Sequence, residues 1–133
     1  MIKPFCLSVV AMLSVLVSLP AAAFPQASVS SNQQLFAQSI IYHSLSGLCA
    51  AKPGNKSLTG DFQAWRLGNQ EAIKLGREEV AAMAKQQDKP MDSVVSNLVH
   101  VAEQEWGQLD SQQRQQKCQT LQAFLTQAEA TVH

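Results

Sequence analysis

Through most of this chain, apolar side chains return every three or four positions with polar ones between them. That spacing predicts α-helices. The first stripe runs Leu35, Phe36, Ile40, Ile41, Leu45, Leu48 and Cys49, with Ser31 or Asn32 placed to cap its start. Lys52, Pro53, Gly54 and Asn55 end it, because the residue before proline is pushed out of helical geometry and Gly54 accepts positive φ. A second stripe begins near Thr59 or Asp61 and runs Phe62, Trp65, Asn69, Ile73, Gly76, Val80 and Met83. Gly68 and Gly76 interrupt it, each costing about 1 kcal/mol relative to alanine in a helix interior. Gly68 followed by Asn69 also reads as a stop and a fresh cap, so this stretch is one long helix or two shorter ones.

Asp88, Lys89 and Pro90 form the next joint, with Pro90 suited to the first turn of a helix. Met91, Val94, Val95, Leu98, Val101, Ala102, Trp106 and Leu109 then make the cleanest apolar seam in the chain, and Gly107 marks its end. Asp110 or Ser111 caps a last helix carrying Cys118, Leu121, Phe124, Leu125, Ala128 and Val132 on one side. No stretch alternates with a period of two. Helices joined by short linkers favour antiparallel neighbours. The expected fold is all-α: a small antiparallel bundle of four or five helices closed by one disulfide.

The N-terminus has a different pattern. Lys3 precedes a nearly unbroken apolar run from Phe5 to Leu19, followed by Pro20 and the small residues Ala21, Ala22 and Ala23. These are the three parts of a secretory signal peptide, and the run is short of the roughly 20 residues of a membrane span. The expected organisation is a signal peptide over 1–23, a flexible leader over 24–31 and a helical domain over 32–133. Of 133 residues, losing 23 leaves 110, enough for one domain. The single charge of the signal favours bacterial export, hence a periplasmic or secreted protein. Asn55, Lys56 and Ser57 match a glycosylation acceptor, which matters only on a eukaryotic route.

Export gives the cysteines their meaning. Cys6 leaves with the signal, and Cys49 and Cys118 remain as an even pair in a chain of modest core size. A bridge between them would close a loop of about 69 residues. Two reduced buried thiols, or an intermolecular bridge, are the alternatives.

Ten Lys and Arg balance ten Asp and Glu, and losing Lys3 leaves a net charge of −1. Such a balance gives no electrostatic footprint for nucleic acid, nor for an anionic membrane surface once the signal is removed. Catalytic constellations are missing from the pattern. His43 and His100 are isolated, and His100 with Glu103 offers one helical pair where zinc wants three or four ligands. Ser44, Leu45, Ser46 and Gly47 lack the first glycine of a nucleophile elbow. Glu78 and Glu79 are neighbours on a helix and point apart. Neither a metal nor another cofactor is expected.

Two features carry more. Between Phe24 and Ala51 there is no Asp, Glu, Lys or Arg, so the first helix is either central to the bundle or covered by a partner. Small residues also fall in register, with Ala37, Ser44, Gly47 and Ala51 on one face of the first helix and Gly68, Ala72 and Gly76 on one face of the second. They admit close helix contact or line a cavity. Trp65 and Trp106 are natural core fillers, yet Trp65 beside Arg66 is also the pairing that binding surfaces favour.

Size, signal and cysteine pair together are similar to those of small periplasmic helical proteins that bind other proteins. Immunity proteins that block a rival's cell-wall amidase, acid-stress chaperones and secretion pilots are of this kind; no residue role follows from the likeness. The expectation is a non-enzymatic, protein-binding module whose partner is another envelope protein or a second copy of the chain. Trp65, Arg66, Phe36 and Tyr42 are its candidate contacts. A carrier of a small apolar ligand between helices is the alternative, and an enzyme using His43 and His100 a more distant one.

Overall fold

The computed structural model describes residues 29–130; the expected signal peptide over 1–23, most of the expected leader over 24–31, and Val132 of the last apolar stripe lie outside the described residues. Within them are five helices: α1 (Ser31–Ala50), α2 (Leu58–Gly68), α3 (Gln70–Gln86), α4 (Met91–Gln108) and α5 (Ser111–Ala130). No strand occurs among the described residues, and the expected all-helical bundle with one disulfide is what forms. Nor is any described helix long and apolar enough to cross a membrane.

Specific hydrogen bonds explain several of the boundaries. The cap of α1 is Ser30, one residue ahead of the expected Ser31 or Asn32: its hydroxyl accepts from the Gln33 N–H at 3.1 Å. Ser30 takes this role because the same hydroxyl donates to the Glu79 carboxylate on α3, a tertiary bond invisible in the local pattern. After α1 the chain turns through Gly54 at φ +92°, a left-handed geometry that glycine adopts without strain. The uncertain stretch resolves into two helices. At Asn69 the side-chain amide donates to the Trp65 carbonyl at 2.8 Å, satisfying the end of α2 while α3 starts at the next residue.

The α3–α4 joint is a Schellman closure. Lys89 N–H reaches Ala84 O at 2.9 Å and Asp88 N–H reaches Lys85 O at 3.2 Å. Asp88 holds the left-handed position at φ 52°, where a short polar side chain is better tolerated than most. At the start of α5, Asp110 and Gln113 form a reciprocal capping box. The Gln113 N–H donates to Asp110 Oδ1 at 2.8 Å, and the Asp110 N–H donates to Gln113 Oε1 at 2.9 Å.

Helix α1 packs against all four other helices. A helix with so many neighbours has little need of charge on the faces they cover, although the face turned toward the gap between α3 and α4 is uncharged as well. The core gathers Leu45 and Cys49 from α1, Leu58, Phe62 and Trp65 from α2, Trp106 from α4, and Cys118, Leu121 and Leu125 from α5. Cys49 and Cys118 are bonded and fully buried, tying the end of α1 to the first half of α5. Arg114 lies over the Trp106 ring at 5.2 Å and donates from Nε to the Trp106 carbonyl at 3.1 Å, so its stem and charge close the edge of this core.

At its other end α1 crosses α3 very closely. A Cβ on Gly76 would fall 1.9 Å from the Asn32 carbonyl oxygen, so only glycine fits there. One turn on, the Glu79 carboxylate accepts from Ser30 and from Asn32 Nδ2, at 3.4 Å for the latter. Ser30, ahead of the other partners, holds the Glu79 carboxyl below its usual range. A depressed carboxylate pKa means stability present above the unfolded value and lost as pH falls through the native value. We therefore expect the stability difference between wild type and Glu79→Gln, followed by urea unfolding, to close as the pH drops below the ordinary carboxylate range. A pH-independent difference would show that Glu79 acts there by shape alone.

Helix α4 is less fully covered than its clean seam suggests. Ala102 and Trp106 are buried, but Val94, Val95, Leu98 and Val99 are half-buried and Val101 is 55% exposed. The reason is architectural: α3 and α4 both lean on α1 while touching one another little. A groove is left between them.

Candidate functional site: a groove floored by the uncharged helix

The groove has a volume of about 690 Å³ and is open along one side. Its floor is one face of α1, formed by Phe36, Ile40, His43, Ser44, Gly47 and Leu48 at helical spacing. Phe62 and Arg66 of α2 and Ile73 and Arg77 of α3 make one wall; Val95, Val99 and Glu103 of α4 make the other. The floor is mainly apolar and contains no Asp, Glu, Lys or Arg. Charge sits on the rim, with two guanidiniums facing a carboxylate across the cleft.

The small residues of α1 find a use here. Ser44 and Gly47 line the groove, and a Cβ built on Gly47 meets nothing within 4 Å. The α3 glycine does the opposite work, since Gly76 is where two backbones touch. Gly47→Ala should therefore stabilise the protein by up to about 1 kcal/mol, the intrinsic helix preference for alanine. A thermal melt showing a loss instead would mean that the floor is more crowded than described.

The His43 ring lies nearly parallel to Phe62 at 5.4 Å between centroids, and both residues line the groove. His100 does not line the groove, and the structure does not bring the two histidines together in it. Among the described residues no group of three or more His, Cys, Asp or Glu converges as a metal site would need.

Beside the groove, on the far side of Arg66, Ile73 and Arg77, a second depression is lined by Gln63, Gln70, Glu71 and Lys74 as well. The two guanidiniums thus stand on a ridge shared by an apolar groove and a hollow of mixed polarity, to which Leu67 also contributes. Neither is in an ion pair: among the described residues the one salt bridge joins Lys117 and Glu105.

The four residues expected to meet a partner are divided by the fold. Trp65 is a correction: at 3% exposure it belongs to the core, because α2 turns this face toward α1 and α5 and leaves Arg66 outward. Phe36 is 6% exposed and contributes only an edge to the groove floor. Tyr42 is half-buried, meeting Trp65 and Phe124 edge-on at 5.6 and 5.3 Å, and burial pushes its phenol pKa up. Arg66 alone is freely presented, and it lines both hollows. Sequence reading missed Arg77, Val95 and Val99. Arg77 stands one helical turn beyond Ile73, on its face, but nothing local says which face of α3 looks into a cleft.

The chain matches no protein-family model, and no curated protein or solved structure matches it either.

Proposed function

We propose that this is an exported, non-enzymatic module that binds another protein of the cell envelope through the groove between α3 and α4. The observation behind the reading is the open, apolar, α1-floored cleft with a charged rim, since an exposed apolar surface rimmed by polar residues is where a partner's amphipathic segment docks. Export is supported by the signal-like N-terminus and by a buried disulfide, a bond favoured in oxidising compartments.

Sedimentation and affinity recovery from envelope extract test it together. A stoichiometric complex that disappears when Gly47→Trp fills the groove is the expected result. A monomer that recovers no partner would overturn the reading. A self-associated species would replace the envelope partner by a second copy of the chain.

A second reading, a carrier of a small apolar ligand, is favoured by Ser44 and Gly47 opening the floor. Native mass spectrometry of gently purified protein should then show added mass, lost in Gly47→Trp. A bare protein mass would dispose of it.

A further inference from the structure

We infer that the occupant of the groove is an acidic amphipathic helix of a partner protein, its apolar side chains on the α1 floor and its carboxylates against Arg66 and Arg77. The inference rests on the protein-binding reading and names the chemistry of the partner.

Three observations select this occupant. The first is charge: Arg66 and Arg77 flank Ile73 on one wall, exposed and outside any ion pair. Guanidiniums bind carboxylates through paired hydrogen bonds, so an unpaired couple beside an apolar trough fits a segment carrying acids along one edge. Glu103 on the opposite wall sets the orientation, since the other edge of the segment would meet a carboxylate and would carry a neutral or basic residue there.

The second is length. From Phe36 to Leu48 the floor runs along α1 for twelve residue-to-residue steps, roughly 18 Å at 1.5 Å each, or about three turns of a partner helix. The third is backbone chemistry. Among the described residues there is no strand, hence no sheet edge to satisfy the peptide groups of an extended segment. A helix arrives with its backbone bonds made and offers the i, i+3, i+4 anchors that suit a groove. The opening along one side points the same way: a helix keeps a solvent face, whereas a hydrocarbon tail would lie half wet beside Glu103.

The probe is a displayed library of short helical peptides with one fixed leucine face and Glu, Lys or Gln randomised on the flanks, selected on the oxidised protein. Acidic sequences should enrich, and their binding should weaken as salt is raised. Arg66→Glu with Arg77→Glu should lower their affinity at least about tenfold. Gly47→Trp should abolish binding with no loss of stability in the unfolding curve, which separates a filled groove from a damaged fold. Enrichment of basic or uncharged sequences would overturn the inference. So would acidic peptides indifferent to Gly47→Trp, which would move binding to another face while leaving the protein-binding reading intact. If no sequence enriches and sodium laurate binds in a Gly47→Trp-sensitive way, both fall in favour of the carrier.

Discussion

Replacing Cys49 and Cys118 together by alanine is expected to lower the unfolding free energy by about 4 kcal/mol. This is the entropy returned to an unfolded chain when a loop of 69 residues is no longer closed. The two sulfurs are buried where α1, α2 and α5 meet, so the bond also fixes which side of α5 faces the core. For a domain of this size, 4 kcal/mol is a large part of the 5–15 kcal/mol that separates folded from unfolded states. Urea titrations of the oxidised and the double-alanine protein give the comparison directly. The midpoint should fall sharply and the slope rise, because an unlinked chain exposes more surface on unfolding. Equal midpoints would mean that the unfolded chain stays compact across this loop without the bond, and the entropic account would have to be abandoned.

Gly76→Ala should cost about 2 kcal/mol, against the gain of about 1 kcal/mol that helix propensity alone promises. The added carbon would lie 1.9 Å from the Asn32 carbonyl oxygen and 2.4 Å from its carbon, and both belong to backbone. No rotamer relieves such an overlap, so α1 and α3 must separate. Separation in turn strains the bonds that Ser30 and Asn32 make to Glu79. Thermal melts of Gly76→Ala and Gly47→Ala, run side by side, should move in opposite directions. Stabilisation by both would place Gly76 in open space and remove the close crossing from the structure.

The same contrast bears on the groove. Because α1 is pinned to α3 at Gly76 and to α5 at Cys49, its middle is held as a fixed floor. Arg66 and Arg77 can then be reversed in charge with little expected effect on stability, since exposed charges outside ion pairs contribute little to folding. That makes them usable probes of binding, unlike Trp65, whose removal would empty the core.

The amino-acid sequence alone determined the helical class and most of the joints, and it singled out Cys49 and Cys118 as the pair that could be bonded. Three- and four-residue spacing, Gly54 in a left-handed turn, a cap at Asp110 or Ser111, and two cysteines left after the expected signal are each readable within a few residues or by counting. Local signals also reach their limit locally. Asn69 supported a break and a continuous helix equally well until its side chain was seen on the Trp65 carbonyl. Only the tertiary structure decided that Ser30 caps α1, that Gly76 is a contact while Gly47 is an opening, and that Trp65 is buried while Arg66 stands over a cleft. Periodicity reports that a helix has an apolar face. It carries no information about which neighbour covers that face, because Ser30 and Glu79 are 49 residues apart and their meeting depends on how five helices share one core.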